Sequence, residues 1–282
     1  MKSLGDRMKE YEGAYKYKLT PRSYIIIRLD GKNFSKYTKN LEKPFDTDLS
    51  DAMNQTAVAV CEEFNGKFAY TQSDEISVLI TDVGNIEAQP MFGGSLQKLC
   101  SLSASVATAK FNEVRNKQYL MNMMLESEIP MEELIKNQMY GDIVDFPKQA
   151  FFDARVFIVP SATEAINHMI WRQQDATRNS ISMAGQANFS HKELQGLNGS
   201  QVQEKLFSDA NINWNDFPTK FKRGVCIFKE EYVRMNHHHV VGGKNVKSVD
   251  TTTTIRHRMK IDMETPVFTQ DTGYLQDLIP TI

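Results

Sequence analysis

The chain has 282 residues, with 33 Lys and Arg against 35 Asp and Glu, a formal net charge of −2, and 41% hydrophobic residues. That length allows a substantial core in one or two domains, the composition is that of a soluble globular chain, and the whole-molecule charge carries no sign of a nucleic-acid partner. Cys61, Cys100 and Cys226 are odd in number and too far apart for a CxxC unit, which excludes a disulfide framework and suits the reduced thiols of a cytoplasmic protein; the charged start is no signal peptide, and no apolar run approaches a membrane span.

In chain order, Leu4 to Tyr15 reads as a short amphipathic helix packing on the body or on another subunit. Between Lys16 and Lys43 eight basic residues (Lys16, Lys18, Arg22, Arg28, Lys32, Lys36, Lys39, Lys43) stand against two acidic ones, Asp30 and Glu42. Such a cluster suits a triphosphate or an RNA backbone, and equally an ordinary solvated face. Within it, Tyr24-Ile25-Ile26-Ile27-Arg28-Leu29 predicts a strand buried on both faces that delivers Asp30, with Gly31 permitting a sharp turn immediately afterwards.

After Pro44, Asp46 or Thr47 caps a helix whose apolar residues Leu49, Met53, Ala57, Val60 and Phe64 recur at helical spacing, and Asn65-Gly66 ends it. Phe68 to Ile80 then reads as two β-prone runs around a polar turn that carries Asp74 and Glu75. With the two strands side by side, Asp30 and Asp74 stand at neighbouring strand ends, where like charges raise each other's pKa unless a cation sits between them. Magnesium takes one or two carboxylates plus substrate phosphates and suits such a pair; a plain polar hairpin tip is the bland alternative.

Gly93-Gly94 opens a helix from about residue 95 to 125, with Leu96, Leu99, Ser103, Val106 and Phe111 as its stripe, and 126–149 reads as a surface connection with a partial helix. Ala154 to Val159 is a second buried strand, and Ser161 to Glu164 matches a capping box that opens a helix through Ile166, Met169, Ile170 and Gln173. The order β-α-β-β-α-β is the split βαβ pattern, so the expected fold is α+β: a ferredoxin-like βαββαβ polymerase palm with an antiparallel sheet, plus helical and β-hairpin additions.

Two further capping boxes, Ser190 with Glu193 and Ser200 with Gln203, predict two short helices whose role is packing rather than duplex reading, since the second holds only Lys205 as a basic residue. The run Asn211 to Pro218, followed by Lys220, Lys222 and Arg223, offers amides and cations to a nucleotide or phosphate, or forms an Asn-rich turn before a strand at Val225 to Phe228. His237-His238-His239 does not close on one metal ion, because adjacent strand residues alternate faces. Tyr232 to Val241 and Val246 to Met259 predict a long hairpin around Gly242-Gly243, with Lys244, Lys247, Arg256, Arg258 and Lys260 as its positive side. The expected division is a catalytic core of residues 1–229 and a hairpin extension of residues 230–282 packed on it.

In order and spacing, Arg28-Leu29-Asp30-Gly31-Lys32-Asn33-Phe34, Lys43-Pro44, Tyr70-Thr71-Gln72-Ser73-Asp74-Glu75 and Trp171-Arg172-Gln173-Gln174-Asp175 resemble the tRNA-histidine guanylyltransferase superfamily of reverse (3′–5′) polymerases, over roughly Met1 to Lys229. The resemblance implies nucleotide addition to the 5′ end of tRNA: that end is activated by ATP to an adenylylated end or by an existing triphosphate, and the 3′-hydroxyl of an incoming nucleotide attacks it. It implies two magnesium ions on Asp30, the Gly31 carbonyl and Asp74, with Glu75 assisting. ATP, GTP or another NTP would lie against the backbone of Asp30, Gly31, Lys32, Asn33 and Phe34 and against Ser73, with Lys43 on phosphate. Arg28, Asn179, Asn213, Lys222 and Arg223 are the implied contacts to tRNA or phosphate, and a homotetramer is the implied assembly.

One departure bears on the substrate. Histidine-tRNA-specific eukaryotic members carry His-Ile-Asn-Asn on the helix after Trp-Arg-Gln, where this chain has Thr177-Arg178-Asn179-Ser180. That favours template-dependent 5′-end repair with complementary NTPs, histidine tRNA being one substrate among others, over addition of a single untemplated guanosine. The rival readings are a nucleotidyl cyclase or forward polymerase on the same palm, and a non-catalytic tRNA-binding protein, which intact Asp30, Asp74 and Glu75 argue against.

Overall fold

A computed structural model describes residues 2–84, 87–127, 147–242 and 245–281, and the side chains of 235–252 are outside that description. The side chains of the histidine triplet and of Lys247, together with residue 244 and most of the connection at 126–149, therefore lie outside the description. The first part of the chain forms helix α1 (Leu4–Gly13), strand β1 (Tyr24–Gly31), the single turn α2 (Phe34–Tyr37), helix α3 (Thr47–Glu63), strands β2 (Phe68–Gln72) and β3 (Glu75–Thr81), helix α4 (Leu96–Ser127) and strand β4 (Phe152–Val159). Helices α5 (Ala162–Asn188), α6 (His191–Leu194), α7 (Gly199–Ala210) and α8 (Thr219–Arg223) follow, then strands β5 (Val225–Gly242) and β6 (Asn245–Asp262) and helix α9 (Thr272–Leu278).

The sheet order is β4-β1-β3-β2-β5-β6, antiparallel throughout. Its first four strands, with α3 and α4 as crossovers, make the ferredoxin-like βαββαβ unit expected from the element order, and the β5–β6 hairpin adds to the β2 edge. Alternation along β1 explains why its sequence is an unbroken apolar run. Ile25, Ile27 and Leu29 meet Met53, Val60 and Phe64 of the α3 side and Phe111 of α4, while Tyr24 and Ile26 meet Phe68, Met169, Phe268 and Leu275 on the opposite face. Both faces are covered, so of the β1 positions before Asp30 only Arg28 is partly open to water.

The helices start where their chemistry predicts. Asp46 Oδ1 accepts the Leu49 N–H at 2.7 Å and caps α3, and α4 buries Leu99, Ser103, Ala107, Phe111 and Val114 along one stripe. At α5 the Ser161 hydroxyl accepts the Glu164 N–H at 3.2 Å. That helix continues past its expected end near Gln173, because Ser180, Ile181 and Ala184 are buried in turn, with Ile181 and Ala184 joining Val202, Leu206 and Trp214 in a third cluster. Among the described residues no helix is long and apolar enough to cross a membrane.

Three expectations need correction. Helix α1 has no buried residue, so it does not pack on the body: its charged sequence leaves too little apolar surface to anchor ten residues alone. The box predicted at Ser200 and Gln203 forms two residues earlier, where the Asn198 side chain accepts the Gln201 N–H at 3.1 Å and Gln201 Oε1 accepts the Asn198 N–H at 2.9 Å. The strand at Val225 to Phe228 and the first arm of the hairpin are one strand, β5, which passes residues 229 and 230 unbroken because β6 pairs with it along its whole length.

Gly224 joins α8 to β5 at φ +75°, and a Cβ there would stand 2.5 Å from the Tyr70 hydroxyl and 2.7 Å from the Thr71 carbonyl oxygen. Gly224→Ala is therefore expected to cost roughly 2–3 kcal/mol in a urea melt, from backbone strain plus displacement of β2. A change below measurement error would show that this junction gives way freely.

Candidate active site

The antiparallel register brings Asp30 opposite Glu75 of β3 on one side and opposite Asp153 of β4 on the other. Asp74 lies next to Glu75 in the two-residue turn that joins β2 to β3, where Ser73 takes the left-handed conformation at φ 53°. The Gly31 N–H donates to the Asp74 carbonyl at 3.1 Å, which pins that turn against the end of β1. The two aspartates thus meet at neighbouring strand ends, as the spacing predicts.

Gly31 serves a different purpose from the predicted turn. It is the last residue of β1, and the chain reverses at Asn33, which has φ 57°. A Cβ on Gly31 would come within 2.3 Å of the Phe34 ring, so the glycine makes room for that side chain. Phe34 is 4% exposed and packs on Tyr37, Phe111 and Phe152, with ring centroids 5.1–5.5 Å apart. What Phe34 has left for a ligand is its backbone. Lys32 and Asn33 are exposed beside it, and the Lys32 N–H donates to the Phe151 carbonyl at 2.8 Å.

Burial, reinforced by the Asp30 charge, pushes the Asp74 carboxyl up to about 6. Asp30 is raised in the same direction, by burial and by the carboxylates of Glu75 and Asp153. The cations near this end of the sheet go elsewhere: Arg28 and Arg172 each meet a different Glu75 oxygen at 2.5 Å, and Arg155 lies 3.6 Å from Asp153. Among the described residues, no ion pair relieves Asp30 or Asp74. Nor do the described residues contain a cluster of three or more metal-binding side chains. Two hard oxygen donors with raised pKa values fit a magnesium ion that completes its shell with water and phosphate oxygens, and they do not fit a caged structural metal.

Glu75 occupies a position that the spacing could not reveal. Both of its oxygens are taken by guanidinium groups, so it acts as a fixed anchor beside Asp74. Arg172 is 4% exposed, reaches Asp175 at 3.2 Å as well, and stacks 3.6 Å from the centre of the Trp171 ring. Gln173 holds the C-terminal segment to α5, donating to the Pro266 carbonyl and accepting the Phe268 N–H, both at 2.8 Å. The Trp171 to Asp175 run thus joins the β3 end, α5 and the C-terminal segment.

The remaining predicted contacts are spread out. Lys43 Nζ donates to the Thr38 carbonyl at 2.8 Å and closes the loop before α3. Asn179 is exposed on α5, whereas Asn213 accepts the Asn215 N–H at 3.1 Å within its own turn. Lys222 is 8% exposed and donates to the Asn215 carbonyl, and Arg223 Nε donates to the Thr265 carbonyl at 3.2 Å. Apart from exposed Asn179, these side chains are hydrogen-bonded within the chain.

A ferredoxin-like palm with paired carboxylates at the ends of its central strands is the architecture of a nucleotidyltransferase. Residues 5–160 match the tRNAHis guanylyltransferase family model, and the chain belongs to that family. It is 32% identical over 238 residues to an uncharacterised protein of Acanthamoeba polyphaga mimivirus, covering 80% of this chain and 77% of that one. Among solved structures it is similar to a bacterial tRNA(His) guanylyltransferase (Thg1)-like protein in complex with ATP, at 40% identity and a TM-score of 0.78, with 99% of both chains covered. A bacterial structure of the same description in complex with GTP matches at 39% identity and a TM-score of 0.72, again with 99% of both chains covered.

Proposed function

We propose that this enzyme adds nucleotides to the 5′ end of tRNA in the 3′–5′ direction, rebuilding a truncated end against the opposite strand. The observation that carries the reading is the pair Asp30 and Asp74, raised in pKa and without a cation partner, beside the backbone of residues 31–34. Asp30, Asp74 and the Gly31 carbonyl would hold two magnesium ions, which when bound supply a lowered pKa for the attacking hydroxyl and charge neutralisation for the leaving phosphate. Asp30 and Asp74 must both be ionised for this, so magnesium affinity declines as pH falls through the range near 6 where Asp74 of the metal-free protein takes up its proton.

The protein's other groups orient the substrate. The Ser73 hydroxyl donates to Asp74 Oδ1 at 3.2 Å and fixes that carboxylate's rotation. Exposed Lys32 stands beside the backbone proposed to carry the triphosphate, and the Arg28–Glu75–Arg172 bridge keeps the β3 end rigid under it. Thr177 and Ser180, in the run where histidine-tRNA-specific members carry their motif, serve packing. The Thr177 hydroxyl donates to the Lys222 carbonyl at 3.2 Å, and Ser180 accepts the Trp214 Nε1–H at 3.1 Å. That supports templated repair over recognition of histidine tRNA. The exposed apolar side chains of α1, Leu4, Met8 and Tyr11, support assembly with further copies of the chain, a homotetramer in this reading.

The test is magnesium-dependent labelling of two substrates with ATP and labelled NTPs: a tRNA lacking its first 5′ nucleotide, and an intact histidine tRNA. Extension of the truncated tRNA, with the nucleotide chosen by the opposite base, is expected. Guanosine addition confined to histidine tRNA would reverse the substrate assignment, and conversion of free NTP with no labelled RNA would replace it with a cyclase.

A further inference from the structure

The fold employs only part of the basic run between Lys16 and Lys43. Lys16 pairs with Glu12 at 2.9 Å, Arg28 with Glu75 at 2.5 Å, and Lys43 donates to the Thr38 carbonyl at 2.8 Å. Lys36 takes a different place. Exposed on α2, it lines a cavity of about 250 Å³ together with Tyr37 and Asn40 from the same stretch, Arg115 of α4, and Lys148 from the segment before β4. Three cations from separate parts of the chain thus surround one opening.

No carboxylate lines that cavity, and among the described residues none of the three cations forms an ion pair. Neutral groups hold Arg115 in place: its Nε donates to the Tyr37 hydroxyl at 3.4 Å and its Nη1 to Gln118 Oε1 at 2.9 Å, so a half-buried charge is oriented without being neutralised. A cleft lined by one sign of charge focuses its field and draws in an ion of the opposite sign. The donors that remain are further guanidinium N–H groups, two ammonium groups and the Asn40 amide. The ligand that fits is a phosphate, whose oxygens accept from an arginine fork and from lysines at once.

The position of the cavity says which phosphate. Tyr37 stacks on Phe34 with ring centroids 5.1 Å apart, and Phe34 closes the 31–34 segment whose backbone is proposed to carry the triphosphate. Neither that segment nor the aspartate pair lines the cavity, so it is a neighbouring and separate site. We infer that Lys36, Arg115 and Lys148 hold a backbone phosphate of the tRNA, away from the end being extended. The inference rests on the reading of tRNA as the substrate. A phosphate contact fixes the orientation of an RNA without reading its sequence, which suits an enzyme that rebuilds ends of differing sequence.

The experiment measures affinity for a tRNA lacking its first 5′ nucleotide at a series of KCl concentrations and fixed magnesium, with GTP binding and a thermal melt beside it. Lys36→Gln combined with Lys148→Gln changes two exposed side chains and is expected to leave the melt and GTP binding unmoved. It weakens the tRNA about 10-fold near 0.1 M salt and makes the plot of log affinity against log salt shallower by about 1, the loss of one phosphate contact. Lys36→Arg combined with Lys148→Arg keeps the charges and is expected to keep the parent slope. Unchanged tRNA affinity and slope in the glutamine variant overturn the inference. So does a loss confined to GTP, which would assign the cavity to the phosphates of a free nucleotide. A parent protein that binds no tRNA at any salt concentration would overturn the tRNA reading itself, and the phosphate subsite with it.

Discussion

Asp74→Asn will reduce nucleotide transfer by at least about 10³-fold and will at the same time make the metal-free protein more stable at pH 7. The carboxyl is pushed from 3.8 to about 6 by burial and by Asp30, so the folded chain holds this proton more tightly than the unfolded chain does. Stability from this group is therefore greatest below the unfolded value, falls as pH rises from about 4 to 6, and stays low above 6. The penalty at pH 7 is about 3 kcal/mol, and asparagine removes it. Melts in chelator are expected to place the variant roughly 5 °C above the parent at pH 7, with the gap closing toward pH 4. Magnesium should raise the parent's melting temperature and leave that of the variant nearly unmoved. A variant less stable than the parent at pH 7 would show that Asp74 is a structural carboxylate.

Arg172→Ala carries the largest expected loss of stability. The guanidinium is 4% exposed and holds Glu75 at 2.5 Å, Asp175 at 3.2 Å and the Trp171 ring at 3.6 Å. Removing it takes one of two cations from each of two partly buried carboxylates, leaving Glu75 to Arg28 and Asp175 to Arg178, and uncovers one face of the indole, a change expected to cost about 3 kcal/mol in a urea melt. Transfer activity falls as well, because Glu75 adjoins Asp74 and loses one of its two anchors. Arg172→Lys recovers only part of this, since an ammonium cannot bridge two carboxylates and stack on a ring together. A loss below about 1 kcal/mol for Arg172→Ala would mean that Arg28 alone suffices to hold Glu75.

How much of this was legible beforehand depends on the range over which each signal acts. Tyr24 to Leu29 announced a doubly covered strand because apolar residues without alternation have no solvent side, and Asp46 announced the start of α3 because its cap bond spans three residues. The meeting of Asp30 with Asp74 followed from strand order once three consecutive strands were recognised. Glu75 was different. Its partner Arg172 is 97 residues away on α5, and nothing in the spacing of either residue foretold their bridge. The Trp171 to Asp175 run was visible as a motif, but its work is divided among three partners that only the fold brings near.

Other misses were local. Lys229-Glu230-Glu231 broke the apolar pattern between Val225 and Tyr232 and hid the continuity of β5, whose pairing with β6 includes Glu230 opposite Arg258. Those two side chains form an ion pair at 2.6 Å, so charge supports the ladder where hydrophobicity lapses. The length of α5 was obscured because its buried face after Gln173 is made of Ala176, Ser180, Ala184 and Gly185, which carry little hydrophobic signal, with Ile181 the one strongly apolar residue among them.

The measurement that most directly tests the central claim is anomalous diffraction from crystals of the protein soaked with GTP and manganese in place of magnesium. Manganese peaks touching the carboxylates of Asp30 and Asp74, bridged by triphosphate oxygens and with Glu75 still bound to Arg28 and Arg172, are the predicted result. Peaks on Glu75 or Asp153 with Asp30 and Asp74 untouched, or a triphosphate bound away from residues 31–34, would contradict it.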